Sequence, residues 1–505
     1  MSVTVDSPPR IANLPVRILA IACALVSCTA WSAAGGAPTE LNDVHSRLNA
    51  TVVHEVFRPE SVEEIRAILA RARREDRAVS ISGGRHSMGG QQFARDALHI
   101  DMSGLSRVIR LDREKGIATV EAGIGWPKLI AELRALQKGE SAPWNIIQKQ
   151  TGADELSIGG ALSSNAHGRG LTWKPMVQDV EAFRLMQADG TEIEVSRQEH
   201  PELFRLVIGG YGLFGVITTV DLRLQRVGTL RRDVVELTLP DFVKVIGSRI
   251  EQGYLYGDLQ FKTDEHADDF MTVGVFSAYL PVPQSPAARA GQRSLADDEW
   301  RKLFALGHLD KARAYALYRD FYLSTNGQLY DSDTHQLSFY DPDFDSELKR
   351  LAPGYPAGSL MITELYVPLD SLERFMRTVA DDFRRNHTNL IYGTIRLVRR
   401  DDETFLAWAR QDFACVVMNL RVQHDDAGIE KAKAEFRGLI DRALELGGSY
   451  FLTYHRWARK DQVLAAYPQF PEFLRLKRQY DPGERFQSEW YRHYVDMFSA
   501  ELAAP

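Results

Sequence analysis

Cysteine is scarce. The chain of 505 residues holds three, Cys23, Cys28 and Cys415. The first two fall in an N-terminal segment set apart below, so the rest carries one thiol and no intrachain disulfide. Apolar neighbours of Cys415 (Phe413, Val416, Val417) predict an inert core thiol. No group of Cys and His has zinc-ligand spacing, and no metal is expected. A basic excess is missing too: 61 Lys and Arg face 68 Asp and Glu, a net charge of −7. That argues against a nucleic-acid binder. There is no internal repeat and no low-complexity tract. What is present is an ordinary globular composition, 44% hydrophobic and 26% charged. The chain is too long for one core, since cores stop growing near ~250–300 residues, and two or three domains are expected.

Residues 1–40 read as a leader. Arg10 and Arg17 precede an apolar run over 18–31, and Ser32, Ala33, Ala34, Gly35, Gly36 and Ala37 follow. A positive start, a short apolar stretch and a small-residue exit describe a secretory signal. The run is ~14 residues, short of the ~20 that span a bilayer. Ser32-Ala33-Ala34 offers a cleavage site. Leu25-Val26-Ser27-Cys28 also resembles a lipobox with Cys28 as the lipidated residue. Export to the periplasm or medium is expected, either soluble or lipid-anchored at Cys28; an uncleaved anchor is the alternative.

Three glycine-rich stretches follow. In residues 78–101, AVSISGGRHSMGGQQFARDALHID, alternating runs flank Gly83, Gly84, Arg85, His86, Ser87, Gly89 and Gly90. Strand, glycine-rich turn, strand is the plain reading. Glycine lets main-chain N–H groups approach an anion such as a pyrophosphate. His86 is the one side chain there that is both nucleophilic and titratable near neutrality. Residues 151–170 hold Gly159, Gly160, Ser163, Ser164, Asn165, His167 and Gly168, punctuated by Ile158, Ala161 and Leu162 like a packed element. The third stretch runs from Gly209 through Gly212, Gly215, Val216 and Ile217 into a strand ending near Leu224. One glycine motif is weak; three in order are much stronger. Between them we read a strand over 51–57 opening the first domain. A capping box of Ser61 and Glu64 then starts a helix with Ile65, Ile68, Leu69 and Ala72 on one face. Hairpins follow over 107–122 and 179–195, and a helix opens at Trp126-Pro127.

Residues 53–224 resemble the FAD-binding domain of the vanillyl-alcohol oxidase and p-cresol methylhydroxylase superfamily. The carriers are Ser82-Gly83-Gly84-Arg85-His86-Ser87, Ile158-Gly159-Gly160-Ala161 through Ser163, Ser164, His167 and Gly168, and Gly212 through Gly215-Val216-Ile217-Thr218. The string GRHSMGGQ is similar to alditol oxidases, gulonolactone-type oxidases and cytokinin dehydrogenases. The resemblance implies an α+β fold, with a two-subdomain PCMH-type FAD-binding domain over 48–228. An α/β substrate (cap) domain over 229–460 and a C-terminal segment over 461–505 that returns to the FAD domain complete it. It is not a Rossmann fold, so no GxGxxG is expected.

The same resemblance implies FAD linked covalently through His86; non-covalent FAD is the alternative. It makes His167 a loop residue near the flavin. Glu364 and Arg396, on strands over 359–367 and 392–398, become pocket candidates. A helix over 370–383 separates these two strands. A helix over 427–446, ended by Gly447-Gly448, and a strand over 451–457 are read beyond them. Residues 454–460, YHRWARK, resemble a family segment whose basic residue lies near substrate and flavin, with Ala458 and Arg459 in its Gly-Lys places. His455 or Glu364 is then the expected base, and Arg396 or Arg459 the group that steadies negative charge. The closing string DPGERF, 481–486, precedes Trp490, Tyr491 and Tyr494, near the flavin or in the core. The expected activity is FAD-dependent oxidation of an alcohol by hydride transfer to flavin N5, on a polyol, sugar or lactone. Dioxygen or another redox acceptor takes the electrons. An amine substrate, or flavin binding without turnover, are the alternatives.

Overall fold

Each sheet of this protein takes its place from where the apolar residues fall. The structure is a computed structural model, and it describes residues 37–503 except 151, 153, 284–291 and 339–343. Most of the expected leader, Cys28 included, lies outside the described residues. Residues 36–505 form one compact unit.

A small parallel sheet comes first in function. Its order is Glu55–Phe57, Leu98–Asp101, Val79–Ser82. The helix Val62–Arg74 makes the crossover, burying Ile65, Ile68, Leu69 and Ala72. Ser61 caps it, accepting from the Glu64 N–H, but Glu64 reaches back to the N–H of Glu60 rather than Ser61. A second, antiparallel sheet runs Glu192–Ser196, Val180–Met186, Val216–Arg226, Ile117–Glu121, Val108–Asp112, with Trp144–Ile146 pairing the far end of Val216–Arg226. Both expected hairpins lie within it. The third sheet has eight strands in the order Leu329–Asp331, Thr229–Thr238, Val273–Val282, Tyr256–Phe261, Leu390–Val398, Phe413–Gln423, Gly358–Val367, Ser449–Tyr450. Its helices include Leu372–Asn386 and Asp426–Leu444. The mixture is an α+β fold of the expected class. Among the described residues no helix is long and apolar enough to cross a membrane.

Two expected elements differ. The strand over 51–57 is split at His54. Thr51–Val53 pairs antiparallel with Thr39–Leu41, while Glu55–Phe57 joins the parallel sheet. Among the described residues the first strand is thus Thr39–Leu41, at the end of the stretch read as leader. The strand over 451–457 does not form; pairing stops at Tyr450. Beyond it the backbone is spent elsewhere. Phe451 N–H donates to Glu364 O at 3.2 Å and Thr453 O accepts from Met88 N–H at 3.0 Å.

The C-terminal residues close the parallel sheet. Phe486 bridges Val79 in parallel, Val79 N–H donates to Arg485 O at 2.6 Å, and Gln487 N–H donates to Val79 O at 2.9 Å.

Candidate functional site

The three glycine stretches converge. A Cβ on Gly84 would lie 2.2 Å from Glu155 O, and one on Gly83 would lie 1.9 Å from Ser157 Oγ. The first loop is thus packed directly on the segment leading into the helix Ile158–Ser164. The third stretch is tied to the same helix: Gly209 N–H donates to Leu162 O at 3.1 Å and Tyr211 N–H to Ser163 O at 2.9 Å. Side chains at Gly83 and Gly84 would push the first two segments apart.

The loop after Ser82 turns at Arg85, which adopts φ 57°, a left-handed conformation uncommon outside glycine. The N–H groups of Gly84, Arg85 and Ser87 donate to no described residue. They form the kind of cradle that binds an oxyanion. The amides of Gly159 and Gly160 do not: they donate to Ala122 O and Ser157 Oγ. Those two glycines serve close packing, with a Cβ on Gly159 falling 2.9 Å from Ala122 Cβ. Val216 and Ile217 belong to the sheet, paired to Met186 and Leu185, and Gly215 just before them packs closely, a Cβ there falling 2.7 Å from Met186 O.

His86 and Ser87 line a cavity of about 670 Å³ whose other walls include Ser164, Glu364, Arg396 and Tyr454. His86 is buried and faces His45, with Nδ1 2.6 Å from His45 Nε2. Burial first, then the neighbouring His45 and Arg85, push its pKa down to about 3. The ring is therefore neutral at working pH, which is the nucleophilic form. His45 was not foreseen, because it lies between the stretch read as leader, 1–40, and the expected FAD-binding domain over 48–228. Asp43 holds that segment, accepting from Ser46 N–H and Oγ and from Asn49 Nδ2, which also donates to Met88 O.

Glu364 is fully buried on the strand Gly358–Val367. Tyr454 Oη donates to its Oε1 at 2.6 Å, and Tyr366 Oη and His167 Nε2 contact its Oε2 at 2.8 and 2.9 Å. Burial opposes its charge, but His167, Arg396 and Tyr454 outweigh that and hold its pKa down to about 2. His167 is more than a loop residue. Its Nδ1 faces Gly168 O at 2.9 Å while Nε2 faces the carboxylate. Asn165 ends the preceding helix at φ 51° and turns His167 inward. Gly168 takes Gln148 Oε1 at 3.3 Å through its N–H. Cys415 Sγ lies 3.6 Å from His167 and 3.8 Å from Glu364, fully buried, and burial pushes its thiol up. These three atoms group within 4.8 Å, which no sequence spacing announced.

Two expected catalytic residues are not at the cavity. His455 is buried against Phe436, Tyr450 and Trp457, where its Nδ1 accepts the Trp457 N–H. Arg459 lies at the surface in ion pairs with Asp441 and Asp461. Tyr454, one residue before His455, is the side chain of that segment that reaches the cavity. Trp490, Tyr491 and Tyr494 are buried, with Trp490 against Tyr211 and Phe470.

Residues 53–196 match the FAD binding domain family. This part of the chain is similar to FAD binding domains. Curated relatives point the same way. L-gulonolactone oxidase of Bos taurus is 31% identical over 211 residues, 42% of this chain and 46% of the bovine protein. L-gulono-1,4-lactone dehydrogenase of Mycobacterium tuberculosis is 24% identical over 446 residues, 87% of this chain and 95% of that protein. L-galactono-1,4-lactone dehydrogenase, mitochondrial, of Arabidopsis thaliana is 27% identical over 201 residues, 39% of this chain and 31% of the plant protein. The chain spans about half the length of the bovine relative it matches. The FAD-binding domain fits its cofactor: its three glycine stretches meet, one loop keeps unengaged N–H groups, and a cavity opens beside them.

Proposed function

We propose that this protein is an FAD-dependent oxidoreductase that oxidises a CH–OH group of a sugar, polyol or lactone-type substrate. The observation that carries the reading is one cavity lined by His86 and Ser87 of the FAD-binding domain and by Glu364, Arg396 and Tyr454. Bound FAD supplies a two-electron acceptor at N5. The chain's residues do the rest. Gly84, Arg85 and Ser87 N–H groups hold the pyrophosphate. His86, kept neutral, is the residue that links FAD covalently, and its contact with His45 sets the ring's orientation. Glu364, ionised and bonded to Tyr454, accepts the hydrogen bond of the substrate hydroxyl. Arg396 would steady the oxygen as its proton passes to Glu364. Dioxygen or another redox acceptor would then take the electrons. The relatives named as lactone oxidases and dehydrogenases support this substrate class.

The test is anaerobic mixing of the yellow protein with L-gulono-1,4-lactone, alditols and amines, following absorbance near 450 nm. Bleaching by a lactone or alditol supports the reading. Bleaching by amines alone, or none, overturns it. Yellow colour that survives acid precipitation, and is lost in His86→Ala, supports the covalent link. We further infer export, with the leader removed or Cys28 lipidated, on the strength of Arg10, Arg17 and the apolar run over 18–31. The N-terminus of the mature protein, read by mass spectrometry, decides.

A further inference from the structure

Away from His86 the cavity reaches a cluster that the proposed chemistry does not use. Arg232, on the strand Thr229–Thr238, lines it while remaining 9% exposed. Its guanidinium sits over three tyrosine rings, 5.2 Å from the centroid of Tyr279, 5.2 Å from Tyr322 and 4.4 Å from Tyr330. Nε donates to Tyr279 Oη at 2.9 Å and Nη1 to Thr325 Oγ1 at 3.1 Å. Nη2 has no partner among the described residues. Among the described residues no carboxylate pairs with Arg232. The nearby acid, Asp258, is taken: Arg169 Nη1 donates to it at 3.1 Å, and Arg169 itself lies 4.8 Å from the Tyr279 ring. His335, against Tyr279 and Tyr256, is held neutral by burial and by these arginines. Two guanidinium groups thus lie in a buried, aromatic-walled recess that opens on the cavity, and its one nearby carboxylate is paired to Arg169.

A buried cation without a counter-ion is costly unless a ligand completes it. Its free edge suits a planar, charged acceptor, with which a guanidinium forms strong, directional hydrogen bonds. The tyrosine faces exclude water and strengthen that pairing.

We propose that Arg232, framed by Tyr279, Tyr322 and Tyr330, is a binding site for a carboxylate carried by the substrate, so that the cavity takes sugar acids. This rests on the cavity being the substrate site, but not on turnover. The test is calorimetric titration of the holoprotein with sodium D-gluconate and with D-glucitol, which differ by a carboxylate in place of a CH2OH group. Gluconate is expected to bind about tenfold tighter or more. In Arg232→Met that preference should shrink to about threefold or less, and Arg232→Lys, which keeps charge without the fork, should fall between. Equal affinity of the two probes for the wild type, no detectable gluconate binding, or a preference unchanged in Arg232→Met each overturns the proposal. The wild-type comparison stands even if Arg232→Met does not fold. A protein that binds gluconate yet is bleached by no alcohol keeps this site and loses the oxidoreductase reading.

Discussion

Glu364 is a carboxylate with no access to bulk water, yet Tyr454, Tyr366 and His167 surround it with donors. Its pKa of about 2 lies below the ordinary carboxylate value. The stabilisation from its charge is therefore complete above about pH 4.5 and is lost only as pH falls toward 2. The acid limb of kcat/KM should accordingly show no ionisation near pH 4 to 5 from this group. Glu364→Gln should lower kcat by about 10²-fold, as loss of an oriented polar group in a site does, while Tyr454→Phe should cost less, about tenfold. Steady-state kinetics at pH 7 check both. Histidines behave in the opposite chemical sense but with the same sign. His86 is held near 3 and His99 near 4, chiefly by burial. As pH falls below about 6.5 the unfolded chain takes up protons that the folded one refuses, so each such group removes up to about 1.4 kcal/mol per pH unit. Thermal melting should shift downward between pH 6.5 and 4. His99→Gln, whose amide can meet the Ser80 and Ser82 hydroxyls that His99 contacts at 2.9 Å, should flatten that slope.

At the scale of elements, the site is a contact between two loops. Gly84 meets the backbone of Glu155, which cannot swing aside as a side chain can. Gly84→Ala should destabilise by about 1–3 kcal/mol through overpacking and displace the loop that carries His86. The flavin-to-protein absorbance ratio should drop with it. Gly253→Ala makes a fair comparison: nothing lies within 4 Å of its Cβ, so only its positive φ of 87° opposes the change, and flavin content should hold. Segment 451–457 makes the same point. Its main chain binds the 88 loop instead of extending the sheet, which aims Tyr454 at the cavity and buries His455.

At the scale of the whole molecule, the C-terminal segment is tied to the small parallel sheet. Lys477 and Asp481 form a fully buried ion pair with Nζ 2.5 Å from Oδ2, and the same oxygen accepts Phe486 N–H at 2.8 Å. Asp481→Asn leaves the Lys477 charge buried without its partner and should cost about 3–5 kcal/mol. Urea unfolding should report it as a lower midpoint, with flavin loss early in the transition because Phe486 bridges Val79 beside the His86 loop.

The glycine stretches, the helix caps, the hairpins and the strands carrying Glu364 and Arg396 were legible in the sequence, because each depends on residues close along the chain. Periodicity and turn chemistry act over a few residues, and they placed Ile65, Ile68, Leu69 and Ala72 inward as found. What stands beside what was not legible. His45 against His86, His167 against Glu364 across 197 residues, and Arg232 among three tyrosines depend on how separate segments pack. So does the exclusion of His455 and Arg459, whose residue types suited the chemistry but whose backbone faces another core and the solvent. Local sequence selects which groups can do chemistry; the meeting of distant segments selects which of them share a cavity.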